Sequence, residues 1–207
     1  MLSRRLRGWS PRSDLGFHHT LFLKGHSNSI MPFKMRVPVR NYHRLLSPRV
    51  AALVTALDRN KKPNTMVAAW HSPISNRPPI LSVAISPLRY THQLILEASE
   101  FTVCIPPKSM LRQVEAAGAS SGKNSDKSAL FNYLPAQKIR APVIQGSLGA
   151  IECTLNRALE VGDHSVIFGN VVNCSSDALG DIWEASPLLH LGLNYYAEFI
   201  LLNKINQ

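Results

Sequence analysis

Short apolar runs separated by prolines and charged turns constrain the fold of this chain most strongly. The run Val50–Leu57 is continuously apolar apart from one threonine, and similar runs follow at Thr65–His71, Ile80–Ile85 and Phe101–Ile105. Runs of this length bounded by turn residues are typical of buried β-strands. Because proline cannot donate to a strand ladder, Pro78-Pro79 is expected to prevent continuous pairing between the second and third runs.

Two longer strand patterns, Leu148–Val161 and His164–Cys174, flank Gly162-Asp163 and predict a β-hairpin. Helical spacing is found at Thr91–Ala98, with Thr91 expected as the N-cap, and at Ser109–Ala117. The helices do not alternate regularly with the strands, which disfavours a doubly wound parallel sheet. The pattern therefore predicts a mainly β fold, an antiparallel barrel with inserted helices.

The net charge of +10 is concentrated in the N-terminal quarter. Residues 1–50 carry ten basic residues and one acidic residue, whereas residues 51–207 carry 13 basic and 12 acidic residues. The nearly neutral body lacks the basic face that nucleic acid binding requires, so no nucleic acid partner is expected. No apolar run approaches the roughly 18 residues of a membrane-spanning helix, so no membrane association is expected either.

We expect residues 1–34 to form a basic, disordered N-terminal extension and residues 35–207 to form the domain. Three interpretations of residues 1–30 stay open: translation beginning at Met31 or Met35, a disordered tail, or an acid-poor, arginine-rich targeting segment. A secretory signal is not indicated, because its apolar core needs 7–15 residues.

Three widely spaced cysteines, Cys104, Cys153 and Cys174, show no CxxC spacing. An odd number without this spacing argues against a zinc site and a disulfide framework, so no metal is expected. We expect all three to pack in the core as small apolar groups. Free thiols predict a reducing, cytoplasmic location.

The end of the second strand and the polar segment after it form the best candidate for a binding site. The small residues Ala68 and Ala69 let a flat ligand approach the backbone, and the hydroxyl groups of Ser72 and Ser75 follow at once. Arg89 and Thr91 precede a predicted helix, whose free N–H groups and dipole favour a phosphate. A flat ring beside an anion site suits flavin mononucleotide. The alternative is an ordinary strand, loop and capped helix.

The same blocks resemble a known family. The chain is similar to the flavin reductase-like, FMN-binding split-barrel proteins, especially their ferric reductase and flavoredoxin branch. The matching pieces cover roughly residues 41–200 in the family's order: Ser47-Pro48-Arg49 with the run to Thr55, the block Asn64–Pro79, Arg89-Tyr90-Thr91, Gly162-Asp163-His164 with Gly169–Val172, and Leu189–Tyr196.

The resemblance implies an antiparallel split barrel that forms a homodimer and binds FMN near the subunit interface. It assigns cofactor binding to Arg49, Met66, Val67, Ala68, Ala69, Trp70, Ser72, Ser75, Arg89, Tyr90, Thr91 and Tyr195. It places His164 near the nicotinamide as a positioning or proton-handling group, the one catalytic residue expected. Ordinary structural roles remain open for three of these residues, namely Trp70 in the core, Arg89 on the surface and His164 beside a turn. The chain departs from the family at Leu193, where a second glycine is common.

The implied function is an NAD(P)H-dependent FMN reductase. FMN would be the bound cofactor and NAD(P)H the hydride donor, with free flavin, a ferric chelate or a redox protein as the electron acceptor. No GxGxxG motif follows a strand, so nicotinamide recognition is expected to be shallow. The alternatives are a flavoredoxin-type electron carrier without its own NAD(P)H activity, or a flavin-binding homodimer without turnover.

Overall fold

The structure is a computed structural model that describes residues 37–200. The predicted extension, residues 1–34, lies outside these residues, and the domain boundary stays a prediction. Within residues 37–200, no helix is long and apolar enough to span a lipid bilayer.

Twelve strands and two α-helices make up most of the described chain. The strands are β1 (Arg49–Val50), β2 (Ala52–Leu57), β3 (Pro63–Ala68), β4 (His71–Asn76), β5 (Pro79–Ile85), β6 (Glu100–Ile105), β7 (Tyr133–Leu134), β8 (Val143–Ile144), β9 (Gly149–Val161), β10 (His164–Ser176), β11 (Leu189–Gly192) and β12 (Tyr195–Ala197). The α-helices are α1 (Tyr90–Ala98) and α2 (Leu111–Ala119), and short 3₁₀ helices cover Val39–Leu46, Lys108–Met110 and Ser128–Leu130.

Seven strands form one antiparallel sheet in the order β3-β2-β6-β9-β10-β5-β4. A second sheet has the order β1-β11-β12, and β7 pairs with β8. The predicted fold class is confirmed: this is a mainly β, antiparallel split barrel with inserted helices. The edge strands β3 and β4 are consecutive in the chain and joined only by Ala69 and Trp70.

Strand β2 shows why its sequence is a continuous apolar run. Leu53 and Val54 point to opposite faces of the sheet, and both are fully buried. Val54 packs in the cluster that contains Leu94 of α1, whereas Leu53 packs in the cluster that contains Val114 of α2. A strand covered on both faces has no solvent side and therefore no polar alternation.

The predicted hairpin of two long strands is confirmed. Strands β9 and β10 have 13 residues each and pair antiparallel from His164 opposite Val161 onward. Gly162 at the turn has φ of 62°, a left-handed conformation that glycine adopts without steric cost.

The second apolar run was predicted as one strand, and this prediction is wrong. The run divides at Ala69 and Trp70 into β3 and the edge strand β4. The prediction that prolines prevent pairing is also wrong, because β4 pairs with β5 down to Asn76 opposite Pro79. Pro73 is tolerated within β4 because one side of an edge strand needs no ladder hydrogen bonds.

Helix α1 begins one residue earlier than predicted, which changes the role of Thr91. Arg89 occupies the N-cap position, and no side chain caps the helix there. Thr91 is instead the second helical residue, is almost fully buried, and accepts a hydrogen bond at Oγ1 from Asn64 Nδ2 at 2.7 Å. The prediction of Thr91 as the N-cap is therefore wrong.

The cysteine prediction is correct for two of the three residues. Cys104 and Cys153 are buried, but Cys174 is exposed near the end of β10. Alternate residues of a strand face opposite sides, and Cys174 has the outward orientation there.

The departure at Leu193 also has a structural counterpart, since this residue has φ of 54° in the β11–β12 turn.

Candidate functional site

A cleft of about 640 Å³ opens between the end of the β2–β3 hairpin, the start of α1 and the loop that follows α2. Its volume lies in the range typical of small-molecule sites, about 300–1,000 Å³. The cleft is lined by Asn64, Met66, Val67, Ser86, Leu88, Arg89, Tyr90, Thr91, Ala117, Gly118, Ser120, Ser121, Gly122, Lys127 and His164.

Strand β3 contributes two apolar side chains to the cleft. Met66 and Val67 are half-buried there, and pairing with β2 fixes their positions opposite Val54 and Leu53. Because successive residues of a strand point to opposite faces, the two side chains contact the cleft from the two faces of this edge strand.

The cleft also carries positive charge. Arg89 lies at the N-terminus of α1, where the first backbone N–H groups have no acceptor within the helix. Lys127 also lines the cleft, and its Nζ donates to the carbonyl oxygen of Ala117 at 2.7 Å. Burial lowers the pKa of Lys127, and the nearby charge of Arg89 lowers it further. Two cations beside free helix N–H groups form an environment suited to an anion.

The loop over the cleft fits closely against β3. A Cβ atom on Gly122 would overlap the side-chain amide of Asn64 and lie 3.0 Å from Cδ1 of Tyr90. The same amide of Asn64 donates to Thr91. Glycine is therefore needed at position 122 for the loop to approach the strand and the helix together.

Aromatic rings meet at the edge of the cleft. The rings of Trp70 and His164 are stacked, with centroids 4.9 Å apart and planes inclined by 30°. His43 belongs to the 3₁₀ helix Val39–Leu46, and its ring centroid lies 5.6 Å from that of Trp70. His164 Nδ1 and Asp163 Oδ1 are 2.7 Å apart, and this hydrogen bond lowers the pKa of the Asp163 carboxyl. With Nδ1 engaged, Nε2 is the imidazole nitrogen that a ligand can use.

The cleft brings together six of the residues predicted for the site. These are Met66, Val67, Arg89, Tyr90, Thr91 and His164. Trp70 joins them through its stacking on His164, while Ala68 and Ala69 lie between these residues without lining the cleft.

Four predicted residues lie elsewhere on the described chain. Arg49 in β1 donates from Nε to the carbonyl oxygen of Leu46 at 3.0 Å, and Tyr195 in β12 is 70% exposed. Ser72 and Ser75 lie on the edge strand β4. None of the four lines the cleft in a single copy of the chain.

Sequence reasoning missed Asn64, Lys127 and the loop that carries Gly122. Asn64 begins the block Asn64–Pro79, and its position before an apolar strand is the available signal. The segment 118–127 is small and polar and shows only the pattern of a loop. Nothing in the local pattern marks Lys127, since its burial arises from tertiary packing. Within residues 37–200, no cluster of three His, Cys, Asp or Glu side chains could hold a metal ion.

Comparison with known proteins identifies the family. A model of the flavin reductase like domain matches residues 44–197. An uncharacterized protein of Archaeoglobus fulgidus is 34% identical over 151 residues, which cover 71% of this chain and 84% of that protein.

Two solved structures share the fold. An FMN-binding protein from Thermus thermophilus, crystallised with 1-cyclohex-2-enone, has a TM-score of 0.71 at 26% identity, covering 80% of this chain and 94% of that chain. The flavoredoxin of Desulfovibrio vulgaris has a TM-score of 0.68 at 28% identity, covering 76% of this chain and 91% of that chain. With its barrel, its cleft and a family match over most of its length, the chain belongs to the flavin reductase like domain family.

Proposed function

We propose that this protein binds FMN in the cleft and acts as an NAD(P)H-dependent flavin reductase. One observation carries the proposal: residues from three separate segments, β3, the start of α1 and the first residue of β10, meet in a single cleft that contains both apolar and cationic side chains. The family match and the FMN-binding relative support a flavin as the ligand.

The residues of the cleft fit the chemistry of FMN. The apolar side chains of Met66 and Val67 suit contact with the isoalloxazine ring, and Arg89 with the first N–H groups of α1 suits the phosphate. Thr91 Oγ1 accepts the hydrogen bond from Asn64, which leaves its hydroxyl proton free to donate to the phosphate.

When bound, FMN supplies a ring that accepts a hydride from NAD(P)H and passes electrons to an acceptor. The protein's part is to hold and orient the reactants. Trp70 and His164 cover one edge of the cleft, and the carboxylate of Asp163 fixes the proton of His164 on Nδ1. His164 Nε2 is then the atom that positions the nicotinamide or handles a proton, as proposed from the resemblance.

A homodimer is part of the proposal. The 3₁₀ helix Val39–Leu46 buries none of its residues, and its Val39, Tyr42 and Leu45 side chains are exposed. An apolar surface of this kind is typical of an interface. Such an interface would also give Arg49 and Tyr195 a place beside the cofactor of a neighbouring subunit. Sedimentation equilibrium at micromolar concentration tests the dimer, and a monomer at all concentrations would contradict it.

The visible spectrum tests the main proposal. The protein is loaded with FMN, and NADH or NADPH is then added without oxygen. A yellow protein that bleaches within seconds supports the reductase.

Arg89→Ala should weaken FMN binding by about 1.5–3 kcal/mol, the value of a hydrogen bond to a charged group, while exposed Arg112→Ala should leave it unchanged. Failure to take up FMN would overturn the proposal.

The flavoredoxin-type carrier is the second candidate, favoured by the similarity to the Desulfovibrio flavoredoxin. A yellow protein that bleaches with dithionite but not with NADH or NADPH would support it. The electron acceptor, whether free flavin, a ferric chelate or a redox protein, follows from comparing reoxidation rates of the reduced protein with each.

A further inference from the structure

A buried hydrogen bond joins two elements whose first residues line the cleft. His92 Nε2 of α1 and Ser165 Oγ of β10 are 2.9 Å apart, and only 7% and 1% of these residues are exposed. Among residues 37–200, this is the one side-chain hydrogen bond between α1 and β10. The chain neighbours of the two partners, Thr91 and His164, both line the cleft.

His164 lies just beyond the part of β10 that the sheet holds on both sides. Strand β10 pairs with β5 from Ser165 onward, whereas His164 pairs only with Val161 of β9. The last six residues of β9, 156–161, are all exposed. The end of the hairpin that carries His164 therefore projects from the barrel, and Ser165 is the nearest residue of β10 that is attached to the rest of the fold.

A hydrogen bond at this attachment fixes geometry that apolar packing would leave loose. Two buried apolar side chains would stabilise the contact without a preferred direction, whereas a hydrogen bond requires its two atoms to keep their distance and angle. Burial lowers the pKa of His92, and the charge of Glu160 offsets this only in part, so the imidazole is uncharged at neutral pH. It can therefore hold Ser165 without the cost of a buried charge.

The position of Ser165 determines where the ring of His164 lies, because consecutive residues of a strand point to opposite faces. The Ser165 side chain is turned inward to α1, and the His164 ring on the other face stacks on Trp70 with centroids 4.9 Å apart. Trp70 belongs to the link between β3 and β4, so the stack joins two separate segments at the edge of the cleft. A shift of β10 at Ser165 would move His164 away from Trp70.

We propose that His92 is a positioning residue, which through Ser165 holds the His164 ring against Trp70 at the edge of the cleft. His92 does not line the cleft itself. The consequence for hydride transfer rests on the proposed function, in which His164 Nε2 positions the nicotinamide or handles a proton. With His164 displaced, FMN would still bind, but the nicotinamide would meet a less ordered site.

The position of the His164 ring can be measured without a flavin. A ring stacked on an indole lies in the ring current of that indole, which shifts the imidazole proton signals upfield. In NMR spectra of the full chain with labelled histidine, the His164 signal is assigned from its loss in His164→Gln, and Trp70→Leu gives its position without the stack. Ser165→Ala should move this signal more than halfway from the wild-type position to the Trp70→Leu position.

Substitutions of His92 separate the hydrogen bond from packing. His92→Phe should move the His164 signal as Ser165→Ala does, because phenylalanine fills a similar volume without a ring nitrogen. His92→Gln should restore the wild-type signal, since a glutamine amide can reach Ser165 as Nε2 does. Gln93→Ala and Ser175→Ala are matched controls, an exposed neighbour on α1 and an exposed serine of β10, and both should match wild type.

Flavin bleaching gives a second measurement. FMN-loaded protein is mixed without oxygen with NADH or NADPH, whichever reduces wild type. Bleaching of Ser165→Ala should slow by about 10-fold, which is below the roughly 100-fold that a misplacement of about 1 Å can cost. The dissociation constant for FMN should stay close to the wild-type value, because neither His92 nor Ser165 lines the cleft.

Three results would overturn the inference. A His164 signal that is unchanged in both Ser165→Ala and His92→Phe would show that the hydrogen bond does not hold the ring. Equal displacement in His92→Phe and His92→Gln would make packing the cause. A displaced signal with bleaching at the wild-type rate would remove the link to hydride transfer. Failure of the proposed function is distinguishable from these results: wild type would then take up no flavin, and the NMR comparison would still decide whether His92 positions His164.

Discussion

Two loops of the barrel are anchored by buried charges, and the two charges are satisfied to different degrees. The loop 136–141 is held by carboxylates of the sheet. Glu152, only 2% exposed, accepts hydrogen bonds from the backbone N–H groups of Gln137 and Lys138 at 3.0 and 2.7 Å. The loop 120–127, beside the cleft, ends at Lys127, whose ammonium group has a single acceptor in the protein, the carbonyl oxygen of Ala117.

The difference separates a charge whose partners all lie within the protein from a charge that keeps free hydrogen-bond donors beside the cleft. Glu152 also accepts from Asn173 at 2.8 Å, so both of its oxygens have hydrogen-bond donors within the protein. Burial raises the pKa of Glu152, but the hydrogen bonds from Gln137, Asn173 and Lys138 outweigh burial and leave this pKa below its ordinary value. At Lys127 nothing outweighs burial, and the charge stays incompletely partnered.

The largest effect expected from this comparison is the loss of stability in Glu152→Ala. The substitution leaves buried backbone N–H groups of the loop 136–141 without an acceptor. We expect the free energy of unfolding to fall by about 3 kcal/mol. Urea denaturation measures it, with exposed Glu160→Ala as a control that should stay within about 0.5 kcal/mol of wild type. A loss below about 1 kcal/mol for Glu152→Ala would mean that the two loops are not anchored differently.

A smaller effect is expected from Gly122→Ala in the loop beside the cleft. The added methyl group would overlap the amide of Asn64, so the loop must move away from β3. We expect a destabilisation of about 2 kcal/mol, within the range of overpacked sites, together with weaker FMN binding. Gly118→Ala is the control, because its Cβ would lie 3.9 Å from Cγ2 of Val67, an ordinary contact. Equal stability of the two variants would show that the loop accommodates a methyl group at position 122 without a cost in stability.

The smallest effect is expected at Lys127, and it should have the opposite sign. Lys127→Met removes an incompletely paired buried charge and should change the free energy of unfolding by about 1 kcal/mol or less, in the stabilising direction. Loss of flavin affinity with retained or increased stability would identify a residue kept for function. A destabilisation as large as that of Glu152→Ala would remove the distinction.

The difference in unfolding free energy between Lys127→Met and wild type should depend on pH, because the pKa of Lys127 is lowered in the folded protein. Between the lowered value and the ordinary 10.5, the folded protein binds fewer protons at this site than the unfolded chain. Stability contributed at this site therefore rises with pH across that window. The advantage of Lys127→Met over wild type should be largest at neutral pH and shrink towards pH 10 in paired urea titrations. A gap that does not change with pH would contradict the argument.

Most of the fold could be predicted because local pattern and tertiary environment agree. The apolar run of β2 reflects burial on both faces, and Gly162 marks the turn of the long hairpin. Strand β4 could not be predicted in the same way. It is polar, contains Pro73 and pairs on one side only, so its hydrogen bonds to β5 are set by tertiary context.

The residues of the cleft show the same distinction, because some have a local sequence signal and others do not. Met66 and Arg89 belong to segments whose residue types indicate a ligand, and the structure brings both to one cleft. Lys127 has no such local signal, because Lys123 stands four residues earlier with the same side chain and remains exposed. Only the packing of α2 and its following loop distinguishes the two lysines.

The two-residue link between β3 and β4 has a further consequence for the barrel. These strands are the two outer edges of the seven-stranded sheet, and three peptide units connect Ala68 to His71. The ends of the two edges can therefore separate by no more than about 11 Å. A covalent connection therefore keeps one end of each edge strand close to the other, although β3 and β4 form no ladder with each other. Lengthening the link at Ala69-Trp70 would remove this restraint and let the two edges of the sheet move apart.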